Sequence, residues 1–121
     1  MPFLDITNKV WVIKNLKIPV IEDLPMTDLD WFTDTLVKAE EEANEGKAGT
    51  KVEVEFENNW YEKICELGLG KTKSEIAATK ISKPDFRALM AEVYAFLSVC
   101  GTIEGAKQSG LYEVEIPKND K

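Results

Sequence analysis

The sequence predicts an α+β domain with an N-terminal β-hairpin, three to four helices around a central apolar helix, and one or two further strands in a mostly antiparallel sheet. Two short β-rich runs open the chain, a helix that is apolar nearly all round lies in its second half, and no βαβ repeat occurs. With 121 residues, 44% of them hydrophobic and 31% charged, the chain is long enough for one domain with its own core. We therefore treat residues 1–121 as a single domain.

The hairpin is predicted from residues 9–14, KVWVIK, and residues 17–22, KIPVIE. Asn15 and Leu16 separate the two runs, which is the length of a tight hairpin turn. Pro19 has no N–H and cannot donate to a β-ladder. The second strand is therefore expected at the edge of the sheet or with an irregularity.

The first helix is predicted to run from Thr27 to about Glu45. Thr27 and Asp30 have the spacing of a capping box, and Gly46 ends the helix. Its inner face is expected to be an apolar stripe with spacings of three and four residues. The stripe consists of Leu29, Phe32, Leu36, Ala39 and Ala43.

Residues 51–67 fit two patterns. In the first, apolar and acidic residues alternate as far as Glu57, which predicts a half-buried strand followed by a helix that Asn58 or Asn59 caps. In the second, apolar residues recur at every fourth position, which predicts one amphipathic helix over the whole segment. The residues of this second pattern are Val52, Phe56, Trp60 and Ile64. We favour the strand because β-branched residues within a strict alternation suit a sheet better.

The central helix is predicted over Lys83–Cys100, after a glycine-rich break (residues 68–73, GLGKTK) and a short helix capped by Ser74. Ser82 is its N-cap, Pro84 lies in its first turn, and Gly101 supplies a left-handed C-cap. Its apolar face consists of Phe86, Leu89, Met90, Val93, Leu97 and Cys100. One or two helical turns are expected over residues 102–108, a last strand over 111–116, and a mobile tail over 118–121.

The amino-acid composition argues against several classes of function for this protein. The chain has no histidine, which removes the commonest general base and transition-metal ligand. Cys65 and Cys100 are its two cysteines, too few for a zinc site of the Cys/His kind, and we expect both to be reduced thiols. We expect no cofactor and no metal. The formal net charge of −7 disfavours direct binding to nucleic acid.

Targeting signals are not recognisable in the sequence. No apolar run reaches the length of a membrane span, and MPFLDITNK does not have the layout of a signal peptide. The sequence therefore predicts a cytoplasmic protein that is neither secreted nor bound to a membrane.

The stretch GLGKT is similar to the end of a phosphate-binding P-loop. A true P-loop requires a glycine five positions before the glycine that precedes the lysine, because its backbone N–H groups must curl around the phosphates. Cys65 occupies that position. The stretch is therefore interpreted as the end of a helix and a turn.

Two rows of glutamates form a candidate acidic surface. On a strand, alternate side chains project to the same side about 7 Å apart, close enough to share a hard cation. A solvated sheet face is the favoured interpretation, because calcium sites draw six or more oxygens from a tight loop. The rows are Glu53, Glu55 and Glu57, and Glu113 and Glu115.

Large aromatic residues form the candidate interface, which consists of Trp31, Phe32, Trp11 and Trp60. Tryptophan is enriched both in cores and at the hot spots of protein–protein interfaces. For each tryptophan, a place in the core or at its edge is favoured over an interface. An exposed Trp31 beside Phe32 would reverse that preference.

The opening VWVIKNLKIPVIEDLPMTDLDWF and the later ISKPDFRALMAEVYAFLSV resemble, in layout and length, the small tail assembly chaperones of long-tailed bacteriophages. The resemblance covers most of the chain and rests on the order of its elements. It implies a non-enzymatic protein that coats the tape measure protein during tail assembly and self-associates.

We therefore expect a non-catalytic protein–protein interaction or assembly protein of phage or prophage origin, working in the host cytoplasm with a protein partner. One alternative is an acidic inhibitor or decoy, whose glutamate rows stand in for phosphates on the nucleic-acid-binding surface of a partner. The other is a small carboxylate- or metal-dependent enzyme.

Overall fold

The computed structural model describes residues 3–22, 24–46 and 49–110. The predicted last strand over residues 111–116, the tail over 118–121, and Glu113 and Glu115 lie outside the described residues. The architecture is α+β, as the sequence predicts: a small antiparallel sheet opens the chain, and helices follow it.

Among the described residues, three antiparallel strands form the sheet in the order β1-β2-β3. They are β1 (Leu4–Asp5), β2 (Val10–Ile13) and β3 (Leu16–Pro19). The predicted hairpin is confirmed, but its turn lies one residue earlier than expected, because Ile13 pairs with Leu16 and leaves Lys14 and Asn15 as the turn. Pro19 lies on the edge strand β3, as its missing N–H requires.

Five helices follow the sheet in the part of the chain that the structure describes. They are α1 (Met26–Asn44), α2 (Thr50–Ile64), α3 (Lys73–Ala77), α4 (Lys83–Ala95) and α5 (Ile103–Ser109). Helices α2 and α4 each continue into a wider π-helical turn, π1 (Cys65–Leu69) after α2 and π2 (Phe96–Cys100) after α4. A left-handed Gly70 ends π1, and Gly101, with a φ of +74°, ends π2.

The helix starts were predicted in part. Ser82 caps α4, because its Oγ accepts a hydrogen bond from the Asp85 N–H at 3.3 Å. Helix α3 begins two residues earlier than expected, with Thr72 rather than Ser74 as the cap of a full capping box. The capping box at Thr27 is wrong, because Thr27 already lies inside α1, which follows Pro25 without a side-chain cap.

The prediction of a strand over residues 51–57 is wrong, and the alternative of one amphipathic helix is correct. Residues 50–64 are helical without interruption, so neither Asn58 nor Asn59 starts a helix. Both patterns are present in the sequence, but the four-residue repeat is the one that packs. Trp60 and Ile64 are partly or fully buried, whereas Val54, which a strand would have turned inward with Phe56, is 52% exposed.

The core is a single apolar cluster around α4 and π2, as predicted for the central helix. Phe96 of π2 contacts Trp11 of β2 edge to face, with ring centroids 5.5 Å apart. Met90 of α4 lies 3.8 Å from the sulfur of Cys65 in π1. The buried apolar residues are Leu4, Trp11, Ile13, Ile18, Phe32, Ile64, Cys65, Leu67, Leu69, Ile76, Leu89, Met90, Val93, Phe96, Leu97, Ile103 and Ala106.

Helix α1 is packed along part of its length. Phe32 is its one buried residue, and Leu29 is half-buried. The predicted stripe does not continue inward, because Leu36 is 46% exposed and Ala43 is exposed as well. The C-terminal half of α1 therefore does not pack against the core and borders an open space.

Within the described part of the chain, no single helix is long and apolar enough to cross a membrane. One bent pair, Lys83–Cys100 with Ile103–Ser109, reaches the required length and composition together, with an angle of 95° between its members.

Candidate protein-binding groove

An open groove of about 590 Å³ lies between α1, α2 and α4. Helix α1 contributes its C-terminal half, α2 most of its length, and α4 the face beside its buried one. The lining residues are Ala39, Glu42, Ala43, Glu53, Phe56, Glu57, Trp60, Tyr61, Ile64, Arg87, Met90, Ala91 and Tyr94. We refer to this space as the groove.

Helical periodicity explains why these side chains share one space. Phe56, Trp60 and Ile64 follow one another at four-residue spacing on α2 and so form one ridge. Ala39 and Ala43 have the same spacing on α1. These two alanines have no side-chain bulk with which to fill the space, so the groove stays open.

Five rings join the three helices beneath and beside the groove; we call them the aromatic cluster. Trp60 is at its centre, with ring centroids 4.8 Å from Phe32, 5.3 Å from Tyr94 and 5.5 Å from Phe56. Trp31 completes the cluster, 5.9 Å from Trp60. The Phe56 and Trp60 rings are stacked, with 24° between their planes.

Much of the groove lining is apolar surface in contact with solvent. Phe56, Trp60, Tyr61 and Tyr94 are half-buried, and Ala91 is exposed. Close to the groove, Leu36 and Val37 of α1 are 46% and 50% exposed. An aromatic surface of this kind, left open between helices, is typical of a binding site.

Carboxylates dominate the charge around the groove. Glu42, Glu53 and Glu57 are in its lining, and Arg87, the one cationic residue among the lining residues that the structure describes, lies 3.8 Å from Glu57 Oε1. Together α1 and α2 contain ten acidic and three basic residues, a net charge of −7. The rest of the chain has twelve of each, so these two helices carry the whole formal net charge of the chain.

The structure separates the four residues of the candidate interface. Trp60 lines the groove, and Trp31 is half-buried at the edge of the aromatic cluster. Phe32 is buried beneath them, and Trp11 is fully buried against Phe96 in the core. Trp11 and Phe32 are therefore not at the surface and do not belong to a candidate interface; for Trp11 the core is the place that the sequence favoured.

The predicted row of Glu53, Glu55 and Glu57 does not exist as a row. Because residues 51–57 are helical, side chains two positions apart point to nearly opposite sides. Glu53 and Glu57 share the groove side, whereas Glu55 does not line the groove. Within the residues described, no three His, Cys, Asp or Glu side chains are grouped so that they could hold a metal ion.

The glycine-rich stretch is a helix end, as interpreted from the sequence. Gly68 and Leu69 belong to π1, and Gly70 adopts the left-handed conformation with a φ of +64°. Both cysteines are free thiols. Burial raises the pKa of the Cys65 thiol to about 12, so this thiol is protonated and inert at neutral pH.

Sequence reasoning missed the contribution of α4 to the groove. Arg87, Ala91 and Tyr94 follow one another at helical spacing beside the buried face of α4. The sequence signal for this side of α4 is its small and aromatic residues, Ala91 and Tyr94. In the sequence they are part of a helix that is apolar nearly all round, so they do not stand out. The function of this side depends on the positions of α1 and α2, which line the groove together with α4.

Comparison with known proteins adds no relative: no model of a protein family matches the chain, and neither a curated protein nor a solved structure matches it.

Proposed function

We propose that this protein is a non-catalytic assembly protein. It binds an apolar segment of a protein partner in the groove. The observation that carries the proposal is the aromatic lining, with Phe56, Trp60, Tyr61 and Tyr94 all partly open to solvent in one continuous space. Aromatic side chains in a concave, partly desolvated site supply most of the binding energy at protein interfaces.

The chemistry of the lining supports binding rather than turnover. The titratable groups among its described residues are three carboxylates, one guanidinium and two phenols, and the chain has no histidine to serve as a base. The proposal agrees with what the resemblance to phage tail assembly chaperones implies. In that setting the groove would hold a segment of the tape measure protein.

The acidic decoy has less support from the geometry. Imitating a nucleic acid requires carboxylates at regular intervals along one face. Helix α2 instead turns Glu55 away from Glu53 and Glu57, and aromatic rings line the groove together with these two carboxylates.

Selection from a library of random 16-residue peptides tests the proposal. The library is selected on the wild-type protein and, in parallel, on Ala91→Trp, which places an indole in the groove from an exposed position. Ala88→Trp is the matched control, because Ala88 is also exposed on α4 but is not among the lining residues.

We expect peptides that bind the wild type and Ala88→Trp equally and lose at least tenfold in affinity for Ala91→Trp. Enrichment of peptides that all three proteins bind alike would show that the groove is not the binding site and would overturn the proposal. Failure to enrich any peptide on the wild type would also overturn it.

A further inference from the structure

We propose that the occupant of the groove is an amphipathic helix of the partner with lysine or arginine along its flanks. This inference rests on the proposed function and specifies the partner. It follows from three features of the groove: the periodicity of its walls, the small residues on two of them, and the placement of charge.

The periodicity of the walls favours a helix over an extended segment. All three walls are helices, and each presents lining residues three or four positions apart. Ridges formed in this way pack into the grooves between the ridges of another helix, whereas a peptide bound as a β-strand needs an open strand edge with which to pair. A fourth helix in the groove would give each wall a packing partner.

The dimensions also fit a helix. On α2 the lining extends from Glu53 to Ile64, a rise of about 16 Å at 1.5 Å per residue, or three helical turns. Ala39, Ala43 and Ala91 are the small residues of the lining. Small residues allow two helix axes to approach to about 8 Å, near the lower end of the usual range.

The acidic residues around the groove indicate which side chains should flank the apolar face of the bound helix. Glu42 and Glu53 face the groove from α1 and α2, the two helices that carry the net charge of −7. Arg87 lies within ion-pairing distance of Glu57 and offsets one of the three carboxylates of the lining. An incoming helix would therefore meet an apolar floor between acidic margins, which matches an apolar face flanked by cationic side chains.

The same charges argue against a second copy of this chain. Helices α1 and α2 of another molecule would bring a further net charge of −7 to the acidic margins. Helix α4 is neutral by sequence, with two basic and two acidic residues, but its apolar face is committed to the core through Leu89, Met90 and Val93. Repulsion of like charges therefore favours a basic partner.

Three fluorescein-labelled peptides of about 18 residues, long enough to form a helix, test the inference by fluorescence anisotropy. The first has leucine at alternating three- and four-residue spacing and lysine elsewhere. The second has the same leucine positions with glutamate elsewhere. The third has the composition of the first, ordered so that the leucines are spread around the helix.

We expect the first peptide to bind the wild type at least tenfold more tightly than either of the others. Ala91→Trp should weaken its binding at least tenfold, and Ala88→Trp should leave it within twofold. The double variant Glu42→Gln/Glu53→Gln should weaken it about three- to tenfold, the effect of two partly exposed ion pairs. Glu66→Gln/Glu104→Gln, which removes the same charge away from the groove, should change it less than twofold.

The outcomes separate the inference from the proposed function. Equal or tighter binding of the glutamate peptide, with sensitivity to Ala91→Trp, would overturn the basic partner and keep the groove as a binding site. Equal binding of the third peptide would overturn the amphipathic helix. Binding that Ala91→Trp leaves unchanged for every peptide would overturn the inference and the proposed function together.

Discussion

The ring centroids of Phe32 and Trp60 lie 4.8 Å apart, with 74° between the ring planes. Through this contact α1 packs against α2. Phe32 also lies 5.2 Å from Tyr94 of α4. It is the one buried residue of α1 and lies in the first half of that helix. The attachment therefore leaves the second half of α1 free to form a wall of the groove.

Phe32→Ala should destabilise the protein by about 3 kcal/mol, the lower end of the range for a buried phenylalanine. The lower end is expected because most buried residues lie around α4 and π2, away from α1. The loss removes the contacts with Trp60 and Tyr94 together. Urea denaturation followed by circular dichroism measures the change in the free energy of unfolding. The matched control is Leu36→Ala on the same helix, where exposure predicts a loss below about 1 kcal/mol. Equal losses would contradict the role of Phe32 as the anchor.

Gly68→Ala should destabilise the protein by about 1–3 kcal/mol, although alanine is the better helix former. A Cβ at this position would overlap Cγ1 of Val93 and lie 3.4 Å from Cδ1 of Leu97, so π1 could not keep its close approach to α4 and π2. Chemical denaturation measures the loss.

A double-mutant cycle with Val93→Ala identifies the cause. Removing the methyl groups of Val93 makes room for the new Cβ, so the double variant should be more stable than the sum of the two single losses predicts. Additive losses would contradict a steric origin.

Local signals made much of the fold predictable. The hairpin follows from two β-rich runs and a two-residue turn, and α4 follows from the Ser82 cap, Pro84 and an apolar face. Residues 51–57 were mispredicted because one set of residues satisfies both a period of two and a period of four. The contact that decides between them is Phe56 stacked on Trp60, four positions further on, which requires residue 56 to be helical.

The groove could not be predicted, because no local signal specifies it. Ala39 and Ala43 continue the stripe of Phe32 in the sequence, and nothing there shows that α1 leaves the core after Phe32. Whether a small residue on an apolar face fills a tight contact or leaves a space depends on the position of the facing helix. That position is set by the packing of Phe32 against Trp60 and Tyr94.

Glu92→Gln should loosen the first strand and cost about 1–2 kcal/mol of stability. The carboxylate accepts hydrogen bonds from the Phe3 N–H at 2.7 Å through Oε1 and from the Leu4 N–H at 2.9 Å through Oε2. A glutamine has one acceptor oxygen and would turn its amide N–H₂ towards the second N–H. Amide hydrogen exchange at Leu4 measures the loosening.

Glu22→Gln is the matched control for this substitution. Glu22 uses Oε1 to accept one hydrogen bond from the Ile103 N–H at 2.7 Å, and a glutamine oxygen can take over that bond. Its cost should therefore be smaller. A cost at Glu22 equal to that at Glu92 would contradict the two-oxygen argument.

Cys65 should make the protein less stable as the pH rises above about 9. Burial raises the pKa of its thiol from 9.0 to about 12. In this range the unfolded chain releases the proton and the folded chain keeps it, so unfolding becomes more favourable by at most about 1.4 kcal/mol per pH unit. The stability that the buried, protonated Cys65 thiol contributes is fully present below the pKa of this thiol in the unfolded chain. It is lost as the pH rises towards the pKa of the thiol in the folded protein.

Comparison with Cys65→Ala isolates this contribution, because the variant lacks this one titratable group and keeps all the others. Urea denaturation in the presence of a reductant, from about pH 8 to about pH 10, should give a steeper decline in the free energy of unfolding for the wild type than for the variant. Parallel declines would mean that the Cys65 thiolate is tolerated in the folded protein, and hence that π1 opens to solvent far more readily than the full burial of this side chain implies.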